Sequence, residues 1–276
     1  MIGRDRRGGQ LSTAAVAAAV GLGLAGVMPP ANAYEFERPL QRGSTGRDVR
    51  ALELRVAGWY PAAVQRTLRV DRRFGGRTER ALEAFQRHYG LAVDGIAGPQ
   101  TFRKLDSLED PDGSTRNFDW TELDQKRSET CGSRANSFAG SFRGGAVGSA
   151  RVRSNVRSWM WRLEAIRAKA GDRPVTVLSA FRSQPYNRCI GGATLSQHLY
   201  GLAVDIDIAG IPPRRERQIA RRSQVHGIAC YAETAHNHLD LRIDNTSLPD
   251  YRHWWWPERD RRGRDRASDG RPCHGE

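Results

Sequence analysis

Of the seven histidines in the chain, three fall in a pattern that suits a metal ion. The first stands in Ser196-Gln197-His198-Leu199-Tyr200-Gly201-Leu202-Ala203-Val204-Asp205, and the other two in His236-Asn237-His238. Two imidazole nitrogens and a carboxylate form a donor set that zinc accepts. Three protein ligands leave the fourth tetrahedral position for water, which is the layout of a catalytic site. An isolated histidine is more often an ordinary core or surface residue, but an HxH with an H-x6-D before it reads as a metal site. One zinc per chain is expected.

The flanking residues supply the elements that must position these groups. Leu202, Val204, Ile206 and Ile208 alternate with Ala203, Asp205 and Asp207, the period of a strand with its apolar face on the core. From His236 to Ile243 the alternation recurs, with Leu239, Leu241 and Ile243 inward and His236, His238, Asp240 and Arg242 on the other face. Pairing the two strands sets Asp205 near His238, and His198 arrives from the turn before Gly201. Val175 to Ser179 reads as a strand ending beside Arg182. Val152, Val156, Trp159, Leu163 and Ile166 form a helical stripe better read as core than as a ligand groove. A second helix is expected over Arg214 to His226, leaving His226 solvated at its end.

The first 33 residues are organised differently. Arg4, Arg6 and Arg7 precede an Ala/Val/Leu/Gly run from Leu11 to Val27, followed by Ala31-Asn32-Ala33. This is the order of a secretory signal peptide cleaved before Tyr34, and the run of about 17 residues is short for a bilayer span. An exported protein without a remaining anchor is expected. The cysteines agree: Cys131, Cys189, Cys230 and Cys273 are even in number, and none is in a CxxC pair, so two disulfides are expected and three pairings are open. The net charge is +13, carried by arginine, with lysine only at 104, 126 and 169. In an exported chain this charge points to an anionic surface such as a cell wall and not to nucleic acid.

Between residues 40 and 107 the chain repeats itself. Val70-Asp71-x-x-Phe74-Gly75-x-x-Thr78 recurs as Val93-Asp94-Gly95-Ile96-Ala97-Gly98-x-x-Thr101, with Leu82 and Leu105 at the same offset. Each copy reads as an Asp/Gly turn followed by a helix start. With an earlier helix from Asp48 to Trp59, this gives a three-helix bundle of about 65 residues, near the lower size limit for an independent core. The Asp/Ser/Pro/Gly-rich stretch that follows reads as a linker.

On Gly43-x-x-Gly46-x-x-Val49, Phe85-Gln86, Gly90-Leu91 and Asp94-Gly95-x-x-Gly98-Pro99-x-Thr101, the module resembles the three-helix peptidoglycan-binding domain. Arg72 stands where that pattern has Gly, which leaves the first turn open to a different form. On Phe181-Arg182-Ser183, Gly191-Gly192, Ser196-x-His198-x-x-Gly201-x-Ala203-x-Asp205 and His236-x-His238, residues 118–256 resemble the zinc D-Ala-D-Ala carboxypeptidase family, within the group that includes lysostaphin-type peptidases and the hedgehog fold. The resemblance implies His198, Asp205 and His238 as zinc ligands, Arg182 and Ser196 as substrate-binding residues, and His236 as a catalytic histidine that does not bind the metal. It also implies the pairings Cys131–Cys189 and Cys230–Cys273. Relatives carry an acid at the position of Ala235, so the general base is open between His236 and Glu233.

The expected fold is α+β. It comprises a signal peptide (1–33), a three-helix peptidoglycan-binding bundle (34–107), a linker (108–117), a zinc peptidase domain with a small, mainly antiparallel sheet (118–256), and a polar tail (257–276). The expected activity is D,D-carboxypeptidase hydrolysis of peptidoglycan stem peptides by a secreted monomer. A cross-link endopeptidase of the same fold, which the ending His238-x-Asp240 and Trp254-Trp255-Trp256 also resembles, and a non-catalytic wall-binding protein are the alternatives. The N-terminal module is expected to be dispensable for turnover of a short soluble peptide.

Overall fold

Residues 40–106 form three helices tied together by two matched turns. The computed structural model describes residues 34–61, 68–124, 131, 140–142, 145–194, 196–232, 234–241, 258–259, 265–266 and 273. Residues 1–33, where a signal peptide is expected, Glu233 and the run Trp254–Trp256 lie outside the described residues. Helix α1 spans Arg47–Val56 and continues as a single 3-10 turn, Ala57–Trp59; α2 spans Gly76–His88 and α3 Pro99–Asp106. Val49, Leu52, Leu82, Phe85 and Leu105 meet in their core. The two turns of the repeat share a left-handed residue at the matched position. Arg72 has φ 71° and Gly95 φ 68°, so arginine takes up the left-handed form that glycine adopts in the second copy. A buried carboxylate holds it there: Glu53 accepts the N–H groups of Asp71 and Arg72, each at 3.0 Å. In the second copy, Gln86 Oε1 accepts the Gly95 N–H at 3.1 Å.

The segment 108–117 is folded against both halves of the chain. Glu109 is buried and takes Arg55 on one oxygen and Arg157 on the other. A short helix, α4 (Trp120–Leu123), then leads to a small hairpin, β1 (Gly140–Phe142) and β2 (Gly145–Val147), and to the long helix α5 (Ser149–Lys169).

The main sheet is four-stranded and antiparallel, in the order β3-β4-β6-β5. Its strands are β3 (Val175–Ser179), β4 (Ala203–Ile208), β5 (Gly227–Cys230) and β6 (Asn237–Asp240); α6 (Gln184–Cys189) and α7 (Pro213–Arg221) lie in the connections. A two-residue pair, β7 (Glu258–Arg259) with β8 (Asp265–Arg266), follows. Val204, Ile206, Ile208, Leu239 and Leu241 are buried against Val152, Val156, Trp159, Leu163 and Ile166 of α5, as the two periodicities require. No helix among the described residues is long and apolar enough to cross a membrane.

Helix α5 also has a second apolar face. Trp161, Ala165 and Ala168, at helical spacing, are buried in the core of the N-terminal module. Gly58 allows this approach: a Cβ there would lie 2.8 Å from that of Ala165 and 3.3 Å from the Arg162 Cα. Lys169 donates to the carbonyls of Gly58 and Arg222, and Leu68 N–H donates to Gln224 Oε1 at 3.0 Å. The module therefore completes the burial of α5. Stripping it would expose Trp161, a side chain that buries roughly 150–250 Å². We expect a single cooperative thermal transition, with Gly58→Ala lowering its midpoint by a few degrees, since overpacking a close contact costs about 1–3 kcal/mol. Two transitions, with only one displaced, would show that the halves fold independently.

Candidate metal centre

The register of β4 against β6 makes Asp205 and His238 direct cross-strand partners, which places their side chains on one face within contact range. His198 reaches the same point from a 3-10 turn, Gln197–Tyr200. Ser196 Oγ accepts the His198 N–H at 3.4 Å and starts the turn, and Gly201, at φ 65°, ends it. Only glycine suits that position, because a Cβ would meet Val156 Cγ2 at 2.8 Å and the Val152 carbonyl at 3.1 Å. Asn155 of α5 donates to the Tyr200 carbonyl at 2.9 Å and fixes the turn from below.

The donor atoms of the three side chains lie within 4.8 Å of one another. His198 Nε2 is 3.1 Å from His238 Nδ1 and 3.3 Å from Asp205 Oδ1, and His238 Nδ1 is 2.8 Å from the same oxygen. The opposite nitrogens face away. His198 Nδ1 donates to the Ala180 carbonyl at 2.6 Å, which leaves the lone pair on Nε2. His238 Nε2 is turned toward Asp240, 3.8 Å away. Arg182 Nη2 donates to Asp205 Oδ2 at 2.7 Å while its Nε donates to Ser179 Oγ at 2.8 Å, so one carboxylate oxygen is anchored and the other faces the imidazoles. Burial pushes the His198 imidazole toward its neutral form. Burial also acts to raise Asp205, but His198 and His238 beside it outweigh that and hold its carboxyl well below the usual carboxylate range. A neutral imidazole and an ionised carboxylate are the forms that bind a metal. The N, N, O chemistry, with the lone pairs converging and His238 only half-buried at the open side, fits zinc with a free coordination position.

His236 is not part of this cluster. It is half-buried just before β6, its ring 4.9 Å from that of Tyr231. Glu233 lies outside the described residues, and Ala235 is exposed. Tyr231 escaped the sequence reading. It is 39% exposed, and its hydroxyl is pushed up to about 12, first by burial and then by the Asp205 charge, so a neutral O–H stands beside the site. Asn237 also escaped it, although an amide between two histidines on the inward face of a strand is itself a signal. It is fully buried and clamped by α7: it accepts from Arg217 Nη1 at 3.1 Å and donates to Glu216 Oε2 at 2.6 Å and to the Pro213 carbonyl at 3.2 Å.

His226 is a correction. Helix α7 stops at Arg221, the chain turns through Gln224 at φ 57°, and His226 is fully buried at the start of β5, its N–H donating to the Asp240 carbonyl at 2.8 Å. Cys131 is bonded to Cys189, and Cys230 to Cys273, each with Cα atoms 5.6 Å apart. The first bond holds the end of α6 and the second fastens Cys273 to β5.

With this geometry in place, the comparisons with known proteins converge. Residues 134–240 match the Peptidase M15 family, and residues 45–105 match a putative peptidoglycan binding domain. One segment of the chain is thus similar to Peptidase M15 and another to a peptidoglycan-binding domain. It is 41% identical over 173 residues to the zinc D-Ala-D-Ala carboxypeptidase of Streptomyces albus G, covering 63% of this chain and 62% of that protein. The chain therefore spans about three fifths of this relative's length. Over 74 residues it is 43% identical to the N-acetylmuramoyl-L-alanine amidase CwlM of Mycobacterium tuberculosis, covering 26% of this chain and 16% of that protein. Among solved structures, the SleB N-terminal domain matches at 41% identity over 25% of this chain and 88% of that chain, with a TM-score of 0.22.

The clamp on Asn237 gives a pH-dependent expectation. Burial raises the Glu216 carboxyl to about 7 despite the hydrogen bonds from Ile208 and Asn237. The folded state thus favours the protonated acid, and its contribution to stability is full below the unfolded carboxylate range and lost as pH rises through about 7. Glu216→Gln cannot charge. Its thermal midpoint relative to the parent chain should therefore rise between about pH 5 and pH 8; a difference that does not vary with pH would contradict the assignment.

Proposed function

We propose that the chain is an exported, monomeric zinc peptidase that acts at the cell wall and hydrolyses D-Ala-D-Ala bonds in peptidoglycan stem peptides. The observation that carries this reading is the convergence of His198, Asp205 and His238 inside the segment that matches Peptidase M15. The 41% identity to a zinc D-Ala-D-Ala carboxypeptidase supports the metal and the bond. The peptidoglycan-binding domain and the wall-acting relatives support the substrate and the location. The leader-like residues 1–33 support export.

His198 through Nε2, His238 through Nδ1 and one oxygen of Asp205 would hold the ion. When bound, zinc supplies Lewis acidity at a carbonyl and lowers the pKa of water from about 15.7 toward about 7. The chain's own residues do the rest. The Ala180 carbonyl fixes the His198 ring, and Arg182 both steadies Asp205 and keeps further N–H groups for the terminal carboxylate or a neighbouring carbonyl of the substrate. Ser196, at the base of the His198 turn, would contact substrate. His236 stabilises the developing oxyanion or passes a proton to the leaving amine; Glu233 is the alternative base. The N-terminal module keeps the peptidase close to its polymeric substrate.

Incubation with purified muropeptides, read by mass, should show loss of one D-Ala from pentapeptides while dimers remain intact. His236→Ala should retain zinc and lose about a hundredfold or more in kcat, the range for one acid–base group. Splitting of dimers would instead define a cross-link endopeptidase, and unchanged muropeptides a wall-binding protein. Normal turnover by His236→Ala beside an inactive Glu233→Gln would move the base to Glu233.

A further inference from the structure

A groove of about 810 Å³ lies where the helical module meets α5, and no residue of the candidate metal centre lines it. Its cations come from both halves of the chain: Arg47 and Arg50 on α1 and Arg72 in the first repeat turn on one side, Arg153 on α5 on the other. Arg55 and Arg157 also line it, and both pair with Glu109, whose one negative charge offsets one of the two. Asp112 is the lining carboxylate, and its Oδ1 already accepts from the N–H and hydroxyl of Ser114. Among the described residues, no carboxylate is in ion-pair contact with Arg47, Arg50 or Arg72.

The aromatic part of the lining is also fixed. Trp120 Nε1 donates to the Asp112 carbonyl at 3.2 Å, and the Arg153 guanidinium lies 4.2 Å from the centre of its ring. Like charges are crowded here. Arg50 is drawn below its ordinary value by burial and then by Arg151 and Arg72. A concave surface lined by one sign of charge focuses its potential, and an anion relieves the repulsion. Guanidinium forks match phosphate and carboxylate oxygens in pairs. The volume is that of a site for a ligand of many atoms and exceeds what a single small anion needs.

We propose that this groove binds a flexible anionic polymer carrying phosphodiester or carboxylate groups at repeating intervals, at a site separate from the peptidase centre. Given the export reading, the chain meets such groups on anionic polymers of the wall. Helix α5 links the two places, since it lines the groove with Arg153 and holds the His198 turn with Asn155. The bound polymer would therefore sit at a fixed offset from the metal centre.

The test is calorimetric titration of the full chain with an oligomer of glycerol phosphate and, separately, with polyglutamate of equal charge. Two variants of equal net charge are compared: Arg47→Gln with Arg153→Gln, and Arg80→Gln with Arg103→Gln. All four positions are exposed and helical, and the second pair lies outside the groove. Saturable binding is expected, weakened about tenfold or more in the groove pair and less than about twofold in the other. Whichever probe binds more tightly identifies the oxyanion. Equal losses in both pairs, or no saturable binding of either probe, would overturn the proposal. Turnover of a short soluble D-Ala-D-Ala peptide should be unchanged in the groove pair. Binding is read without catalysis, so failure of the groove and failure of the peptidase reading are distinguishable.

Discussion

The site depends on the register between β4 and β6. Asp205 stands directly opposite His238, and in a sheet with one buried face a slip of one residue would turn every side chain of a strand to the other side. Such a slip would bring Ile206 or Val204 to the metal face and bury a carboxylate in the core. The apolar alternation that places Val204, Ile206 and Leu239 against α5 therefore also keeps Asp205 and His238 together. Hydrophobic burial sets the geometry of the polar cluster, and the cluster need not contribute to stability to be well placed.

A second constraint works from behind the sheet. Asn237 cannot face the metal site because the adjacent His238 does, so it points inward, where an unpaired amide would be costly. Glu216, Arg217 and the Pro213 carbonyl meet that need and tie α7 to the strand. On the side of His198, Gly201 and Asn155 tie the 3-10 turn to α5. Each donor of the candidate metal site is thus supported by a separate element, and α5 carries the module on its other face through Trp161 and Ala165. The two halves of the chain share one structural helix.

Much of this was legible in the sequence. Period-two alternation around Asp205 and His238 gave the two strands and their pairing, and the stripe from Val152 to Ile166 gave the covering helix. The repeat gave the three short helices. What was not legible depends on partners distant in the chain. Trp161 reads as a second apolar face only once the module is known to pack there. Arg72 adopts a glycine-like backbone because Glu53, from another helix, accepts its N–H. His226 reads as a helix end until the turn at Gln224 delivers it into a strand. Tyr231 enters the site only through the ring of His236 and the charge of Asp205.

In the proposed reading one metal ion is held by His198 Nε2, His238 Nδ1 and an Asp205 oxygen, with His236 outside the coordination shell. Anomalous diffraction at the zinc edge from crystals of the full chain equilibrated with zinc tests this most directly. A single strong peak per chain, bonded to those three atoms, is expected. A peak bonded to His236, or to His238 Nε2 beside Asp240, or the absence of any peak between Asp205 and His238, would contradict it.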